Sequence, residues 1–175
     1  MKKCFFLDRD GVINIDKKYV YKVSDFIIFP GVENAIKYLN NEDYLVIIVT
    51  NQSGIGRGLY TKKDFFKIQD FLKRKLRKFK AKIDDVFFCP HHPIYGKGVY
   101  KKNCSCRKPN NGMLESAIKK WNIDRKRSFM IGDKNSDLNC AKKSKVNFIF
   151  KKKGNFHNQI KQIIYISYLF AITSS

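Results

Sequence analysis

The sequence predicts an α/β fold in which a doubly wound parallel sheet forms a single domain. Short apolar runs, typical of buried strands, alternate with stretches whose apolar residues recur at helical spacing. Several of the apolar runs end in polar residues, as expected where strands deliver functional groups to one edge of a sheet. The chain has 175 residues, 43% of them hydrophobic, which suits one domain with a sizeable core.

The first half of the chain predicts two strands, at residues 4–7 and 44–49, each followed by a helix. After Pro30-Gly31, the apolar residues of the first helix are Ala35, Ile36 and Leu39. The second helix follows Thr61, a residue type that caps helix N-termini well. Its apolar stripe is expected in the core and consists of Phe65, Ile68, Leu72, Leu76 and Phe79.

The second half predicts strands at residues 86–89, 128–131 and 146–150. The intervening helices are indicated by Met113, Leu114, Ala117, Ile118 and Trp121, and then by Leu138 and Ala141. We expect one domain over residues 1–175, with its core at 3–150 and no large cap domain. The tail at 151–175 could add a last helix or strand, and the sequence leaves this open.

Polar residues follow three of the predicted strands at the point where each strand ends. They are Asp8-Arg9-Asp10, Thr50-Asn51-Gln52 and Gly132-Asp133. Because the carboxyl ends of parallel strands lie at one edge of a sheet, we expect these segments to meet in one crevice.

This set of side chains suits phosphoryl transfer assisted by magnesium. Of two nearby carboxylates such as Asp8 and Asp10, one can act as nucleophile or metal ligand while the other exchanges a proton. Asp133 and Asp137 add the oxygen ligands that magnesium prefers. A metal is needed because a carboxylate and a phosphate dianion repel each other. The residues expected to bind the phosphoryl group or offset its charge are Thr50, Arg107 and Lys108.

Four segments, in order, resemble the motifs of the haloacid dehalogenase (HAD) superfamily. Residues 6–12 (FLDRDGV) resemble the first motif, residues 49–52 (VTNQ) the second and residues 132–137 (GDKNSD) the fourth. Lys108 stands where the third-motif lysine belongs, and Val12 replaces the threonine that is common after the first-motif glycine. The resemblance extends over about residues 3–150 and implies a HAD-like sheet.

The resemblance also implies roles for individual residues. Asp8 would attack phosphorus and form an aspartyl-phosphate, and Asp10 would protonate the leaving alcohol and later activate water. Magnesium would be bound by Asp8, the backbone carbonyl of Asp10, and Asp133. Asp137 would be a supporting carboxylate. The phosphoryl group would be held by Thr50 and Lys108.

A second cluster of possible ligands lies in and beside the irregular segment at residues 90–109. Cys104 and Cys106 form a C-x-C pair, and Cys89 is followed by two histidines, His91 and His92. Three thiolates and one imidazole suit a tetrahedral, structural zinc. Spacing does not choose between the histidines, and the family resemblance implies His91.

Such a zinc would stabilise the loop that delivers Arg107 and Lys108 to the crevice. The other two cysteines, Cys4 and Cys140, lie in apolar or helical contexts and are expected in the core.

The segment at residues 90–109, which we call the zinc loop, resembles the corresponding loop of one HAD group. That group contains heptose-bisphosphate and histidinol-phosphate phosphatases. Residues 51–58, 89–93 and 107–113 favour the heptose type, and residues 16–20 resemble its substrate-specificity loop. By this resemblance, Arg107 would recognise the phosphate that a sugar bisphosphate retains. The substrate contacts it implies are Asp16, Lys17, Lys18, Tyr19, Thr50, Asn51, Gln52, Ser53, Arg107, Lys108 and Lys134. The tail lacks the acidic, alanine-rich ending expected for this group.

The chain is strongly basic, with 36 Lys and Arg against 15 Asp and Glu, a formal charge of +21. Such a charge attracts polyanions. The lysines are scattered, however, and Asn, Ile, Phe and Tyr are also abundant, which favours compositional bias over nucleic-acid binding. The alternatives left open are histidinol-phosphate phosphatase, nucleic-acid 3′-phosphatase and a non-catalytic zinc module that binds nucleic acid.

No signal peptide or membrane span is expected. Residues 8–10 are charged and interrupt the first apolar run, and the longest run, at residues 163–172, is too short to cross a bilayer. The sequence therefore predicts a cytoplasmic enzyme, a monomer by its family resemblance, with a small-molecule substrate.

Overall fold

The computed structural model describes residues 1–173, with side chains up to Leu169. Within that range, five strands form one sheet in the order β3-β2-β1-β4-β5, and every pairing is parallel. The strands are β1 (Cys4–Leu7), β2 (Leu45–Asn51), β3 (Asp85–Cys89), β4 (Phe129–Gly132) and β5 (Asn147–Phe150). The helices are α1 (Val32–Asn41), α2 (Ser53–Arg57), α3 (Lys62–Lys78), α4 (Gly112–Trp121), α5 (Asn135–Lys143) and α6 (Phe156–Thr173).

Helices cover both faces of the sheet, which confirms the doubly wound prediction. Successive side chains of a strand point to opposite faces. In β1, Phe5 and Leu7 pack in the layer that contains α1, α3 and α6. Cys4 and Phe6 pack in the layer that contains α4 and α5. Cys4 and Cys140 are fully buried there, as expected from the sequence.

The strand order reverses between β1 and β4, which are neighbours in the sheet. The chain moves outward from β1 to β2 and β3, and then returns through α4 to the other side of β1. At such a switch point the loops after two adjacent strands separate and leave a crevice at their carboxyl ends. The polar segments after β1, β2 and β4 therefore lie around one opening.

Two details of the helices differ from the sequence prediction. Helix α2 was not predicted, because Gly54 and Gly56 are poor helix formers, yet both glycines are buried at its packed face. Phe79 was wrongly predicted as a core residue. It is 40% exposed, because α3 ends at Lys78 and the chain turns before the stripe reaches the next helical turn.

The tail that the sequence left open contains a core helix, α6. Its buried residues pack in the same layer as α1 and are Phe156, Ile160, Ile163 and Ile164. Among residues 1–173, no helix combines the length and apolar character needed to cross a membrane.

Candidate active site and metal centre

A cleft of about 470 Å³ opens at the carboxyl ends of the central strands. Its lining residues are Asp8, Asp10, Asp16, Lys18, Tyr19, Thr50, Asn51, Gln52, Ser53, Tyr60, Arg107, Lys108, Lys134 and Ser136. Every residue expected to contact substrate is among them except Lys17, which lies exposed in the same loop. Tyr60 and Ser136 line the cleft without having been predicted.

The ammonium of Lys108 lies between two carboxylates on the floor of the cleft. Its Nζ is 3.0 Å from Oδ2 of Asp8 and 2.6 Å from Oδ1 of Asp137, and it donates to the carbonyl of Val49 at 2.9 Å. Burial raises the pKa of Asp8 to about 6, although Lys108 counteracts the shift. Burial lowers the pKa of Lys108, but the two carboxylates outweigh it, and the net shift is upward. Lys108 is therefore held as a buried cation beside Asp8.

Three carboxylates at this point can approach a single ion. Oxygens of Asp8, Asp133 and Asp137 all lie within 4.8 Å of one another. Burial raises the pKa of Asp133. Gly11 leaves room for the Asp133 carboxylate, with which a side chain at that position would collide. The ammonium groups of Lys108 and of Lys134, which is 3.9 Å from Asp133, do not balance three carboxylates, so the donor set fits a hard divalent cation such as magnesium.

The carboxylate of Asp10 is held by hydrogen bonds from three side chains. Arg9, which is fully buried, donates from Nε at 3.1 Å and from Nη2 at 2.8 Å to Oδ2 of Asp10. Asn14 Nδ2 donates to Oδ1 at 2.9 Å, and Gln52 Nε2 donates to Oδ2 at 3.0 Å. This role of Arg9 was not predicted from the sequence, because an arginine between two aspartates is usually exposed.

A second set of hydrogen bonds orients the residues that follow β2. Gln52 also donates to Oγ1 of Thr50 at 2.9 Å, and its own Oε1 accepts from the hydroxyl of Tyr60 at 2.6 Å. Tyr60 is buried and stacks on Tyr21, with ring centroids 5.4 Å apart. The Thr50 hydroxyl is thus fixed at the wall of the cleft.

Residues 16–21, which we call the substrate loop, border the cleft on the β1 side. Asp16 accepts from Lys134 Nζ and from the backbone N–H of Lys18, both at 3.0 Å. Lys18 and Tyr19 have φ angles of 58° and 54°, a conformation that side-chain-bearing residues seldom adopt. The loop therefore depends on contacts with the rest of the protein to hold its shape.

The four predicted zinc ligands converge at one point. The Sγ atoms of Cys89, Cys104 and Cys106 lie 3.1–3.4 Å apart, and Nδ1 of His91 lies 3.5 Å from two of them. Burial raises the pKa of the Cys89 and Cys106 thiols, so a bound cation is needed to keep them as thiolates. The set of donors fits tetrahedral zinc.

The structure distinguishes the two histidines that the spacing alone could not. His92 Nδ1 accepts the backbone N–H groups of Ile94 and Tyr95 at 3.2 and 3.1 Å, within the loop itself. The backbone carbonyl of His91 accepts from Nη1 of Arg107 at 3.1 Å. The cysteine cluster and the cleft are therefore joined through His91 and Arg107.

Comparison with known proteins agrees with this geometry. The profile of the family described as Polynucleotide kinase 3 phosphatase matches residues 3–163. The D-glycero-alpha-D-manno-heptose-1,7-bisphosphate 7-phosphatase of Campylobacter jejuni is 42% identical over 92% of this chain and 91% of its own length. The D-glycero-beta-D-manno-heptose-1,7-bisphosphate 7-phosphatase of Haemophilus ducreyi is 44% identical over 80% of this chain and 77% of its own length. The chain belongs to the D-glycero-D-manno-heptose-1,7-bisphosphate 7-phosphatase family. It is therefore a phosphoric monoester hydrolase.

A solved member of this family has the same architecture. The D,D-heptose 1,7-bisphosphate phosphatase of B. bronchiseptica, crystallised with magnesium and phosphate, superposes with a TM-score of 0.78. It is 33% identical, over 91% of this chain and 86% of its own. This likeness confirms the HAD-like fold predicted from the motifs.

Proposed function

We propose that this enzyme removes the C7 phosphate of D-glycero-D-manno-heptose 1,7-bisphosphate and releases heptose 1-phosphate, on the route to ADP-heptose for the lipopolysaccharide core. The observation that carries this proposal is the 3.0 Å pair of Asp8 and Lys108 on the floor of a cleft whose wall carries Arg107. A buried carboxylate beside a cation suits attack on phosphorus, and a guanidinium that lines the same cleft suits a second phosphate.

In the proposed reaction, an oxygen of Asp8 attacks phosphorus, and the bond from phosphorus to the C7 oxygen breaks. Asp10 gives its proton to that leaving oxygen. Water then attacks the aspartyl-phosphate, with Asp10 taking up the proton of the water, and Asp8 is restored as inorganic phosphate leaves. Lys108 and Thr50 bind the phosphoryl oxygens and stabilise their charge in the transition state.

Magnesium is the proposed cofactor of this step, and it would lower the repulsion between the carboxylate and the phosphate dianion. Asp8, Asp133 and the backbone carbonyl of Asp10 would hold it, with Asp137 in support. Asp137 also pairs with Lys108 at 2.6 Å, which keeps the ammonium directed toward the nucleophile.

Zinc is the proposed structural ion, held by Cys89, His91, Cys104 and Cys106. Its function would be to fix the loop at residues 90–109 so that Arg107 meets the retained phosphate. Lys17 remains a predicted substrate contact, since a sugar can reach an exposed residue of the substrate loop. The cytoplasmic location and monomeric state also remain predictions.

The proposal is tested by measuring phosphate release with magnesium from three substrates: heptose 1,7-bisphosphate, histidinol phosphate and a 3′-phosphorylated oligonucleotide. We expect kcat/KM for the bisphosphate to exceed the others by orders of magnitude, and Asp8→Asn to abolish turnover. Both anomers should be compared, because the relatives include enzymes named for each.

The 3′-phosphorylated oligonucleotide tests the second candidate function. The matching family is described as Polynucleotide kinase 3 phosphatase, and the chain carries a formal charge of +21. If the oligonucleotide has the highest kcat/KM, the heptose assignment is wrong while the chemistry at Asp8 remains. A preference for histidinol phosphate would instead refute the role proposed for Arg107.

A further inference from the structure

Arg57, which belongs to neither of the predicted sites, lies between the substrate loop and the zinc loop (residues 90–109). It is the last residue of α2, and its Cζ is 4.6 Å from the ring centroid of Tyr95 in the zinc loop. On the other side, the same Cζ is 5.5 Å from the ring centroid of Tyr19 in the substrate loop. The guanidinium therefore contacts one aromatic ring from each loop.

The Tyr95 side of this arrangement is anchored near the zinc ligands. The rings of Tyr95 and His92 are 5.0 Å apart, and the backbone N–H of Tyr95 donates to His92 Nδ1. His92 is the immediate neighbour of the ligand His91. Ring contacts thus extend from Arg57 through Tyr95 to His92, which is the sequence neighbour of His91 in the cysteine cluster.

On the Tyr19 side, the backbone of the substrate loop is in an unfavourable conformation. Lys18 and Tyr19 are consecutive residues with left-handed φ angles, which raises the free energy of this backbone conformation. Tyr19 lines the cleft, whereas Arg57 is not among its lining residues. Arg57 Nε is buried without a hydrogen-bond partner among the described residues. Stacking on the rings of Tyr19 and Tyr95 is therefore the main interaction of the Arg57 guanidinium among the described residues.

We propose that Arg57 is a specificity-determining positioning residue, which links the zinc loop to the substrate loop and holds Tyr19 over the cleft for a sugar bisphosphate. This inference rests on the proposed function. A planar guanidinium can contact two aromatic faces at once, which a lysine ammonium does less well. Because Arg57 acts through Tyr19, its effect is confined to substrates large enough to reach the substrate loop.

The test compares Arg57→Ala, Arg57→Lys, Tyr95→Ala and the double variant Arg57→Ala/Tyr95→Ala with the wild type. Each is assayed on heptose 1,7-bisphosphate and on p-nitrophenyl phosphate, a small monophosphate. Arg74→Ala, on the exposed face of α3, is the matched control. Zinc content and thermal unfolding confirm that each variant folds.

We expect Arg57→Ala and Tyr95→Ala to raise KM for the bisphosphate about 5- to 20-fold, the range of a partly desolvated cation–π contact, with kcat changed less than about twofold. Arg57→Lys should recover little of this loss. The double variant should be no worse than Arg57→Ala, because both substitutions remove the same stack. Activity on p-nitrophenyl phosphate should stay at the wild-type level in all of them.

Four results would overturn the inference. An unchanged KM in Arg57→Ala would show that the residue has no role in specificity. Full activity in Arg57→Lys with a silent Tyr95→Ala would show that only its charge matters. An equal loss on both substrates would indicate general damage to the site. A wild type that does not prefer the bisphosphate would refute the proposed function, and this inference with it.

Discussion

The side-chain amide of Asn51 pairs with both backbone polar groups of Lys108. Asn51 Oδ1 accepts from the Lys108 N–H at 3.1 Å, and Asn51 Nδ2 donates to the Lys108 carbonyl at 3.1 Å. Asn51 is the last residue of β2, whereas Lys108 lies in a long irregular segment. The pair therefore fixes a loop residue to the end of a central strand, beside Asp8, the proposed nucleophile.

This pairing predicts that Asn51→Ala lowers kcat more than it changes stability. The substitution removes the two bonds that set the position of the Lys108 backbone, and a displacement of about 1 Å in a reacting group can reduce the rate on the order of 100-fold. We expect kcat for p-nitrophenyl phosphate to fall by about 10- to 100-fold. Ser116→Ala, on an exposed part of α4, serves as the control. A normal kcat in Asn51→Ala would mean that the zinc loop positions Lys108 by itself.

The sequence predicted the location of those polar side chains that directly follow an apolar strand. Asp8, Thr50 and Asp133 each follow an apolar run, and a parallel sheet necessarily brings the ends of such runs to one edge. The strand argument does not apply to Lys108, because residues 90–109 show no strand or helix periodicity. Lys108 was predicted only from its resemblance to the third motif. Contacts with Asn51 and Asp8 hold it at the floor of the cleft.

The features that could not be predicted from the sequence depend on packing between residues that are far apart in the chain. Nothing local indicates that Arg9 is fully buried, since its stabilisation comes from Asp10, the Val20 carbonyl and two distant aromatic rings. The tail has helical apolar residues, but only packing against α1 identifies which face is buried. Arg57 similarly acquires its position from two loops that are far apart in sequence.

Magnesium-free enzyme should lose stability as Asp8 ionises. Burial raises the pKa of Asp8 from 3.8 to about 6, so the folded state binds this proton more tightly than the unfolded state does. The stabilisation is complete below pH 4 and is lost as the pH rises through about 6. We expect a loss on the order of 1–3 kcal/mol in the free energy of unfolding over this range.

The reference for this measurement is Asp8→Asn, which lacks the titrating group. Urea unfolding of both proteins between pH 4 and pH 7 in magnesium-free buffer should show the wild type becoming less stable relative to the variant. Adding magnesium should restore the wild type, because an ion that binds only the folded state stabilises it. Parallel pH profiles for the two proteins would contradict the raised pKa of Asp8.

His91 and His92 offer a matched pair of variants for the zinc site. His91→Ala should reduce bound zinc well below one equivalent, because its Nδ1 faces the sulfur atoms of Cys89 and Cys106. His92→Ala should retain zinc, since its Nδ1 accepts backbone N–H groups of the loop instead. Metal analysis after dialysis against a weak chelator distinguishes them. Loss of zinc in His92→Ala alone would reverse the ligand assignment.

Loss of zinc should also lower the catalytic activity. The cluster is joined to the cleft by the hydrogen bond from Arg107 to the His91 carbonyl. We therefore expect His91→Ala to lower kcat/KM for the bisphosphate by about 10-fold or more, as for other residues that position a reacting group. Far-ultraviolet circular dichroism should stay close to that of the wild type, because the sheet does not include this loop.

Helix α6 should behave as part of the folded domain and not as an appended tail. Phe156, at its first turn, is fully buried in the layer formed with α1, so Phe156→Ala removes a large side chain from the core. We expect a loss of about 3–5 kcal/mol in the free energy of unfolding, measured by urea denaturation. Tyr165→Ala, on the exposed side of the same helix, should change stability by less than about 0.5 kcal/mol. Equal stability of the two variants would mean that the sheet and the other helices fold without α6, in a domain that ends near residue 150.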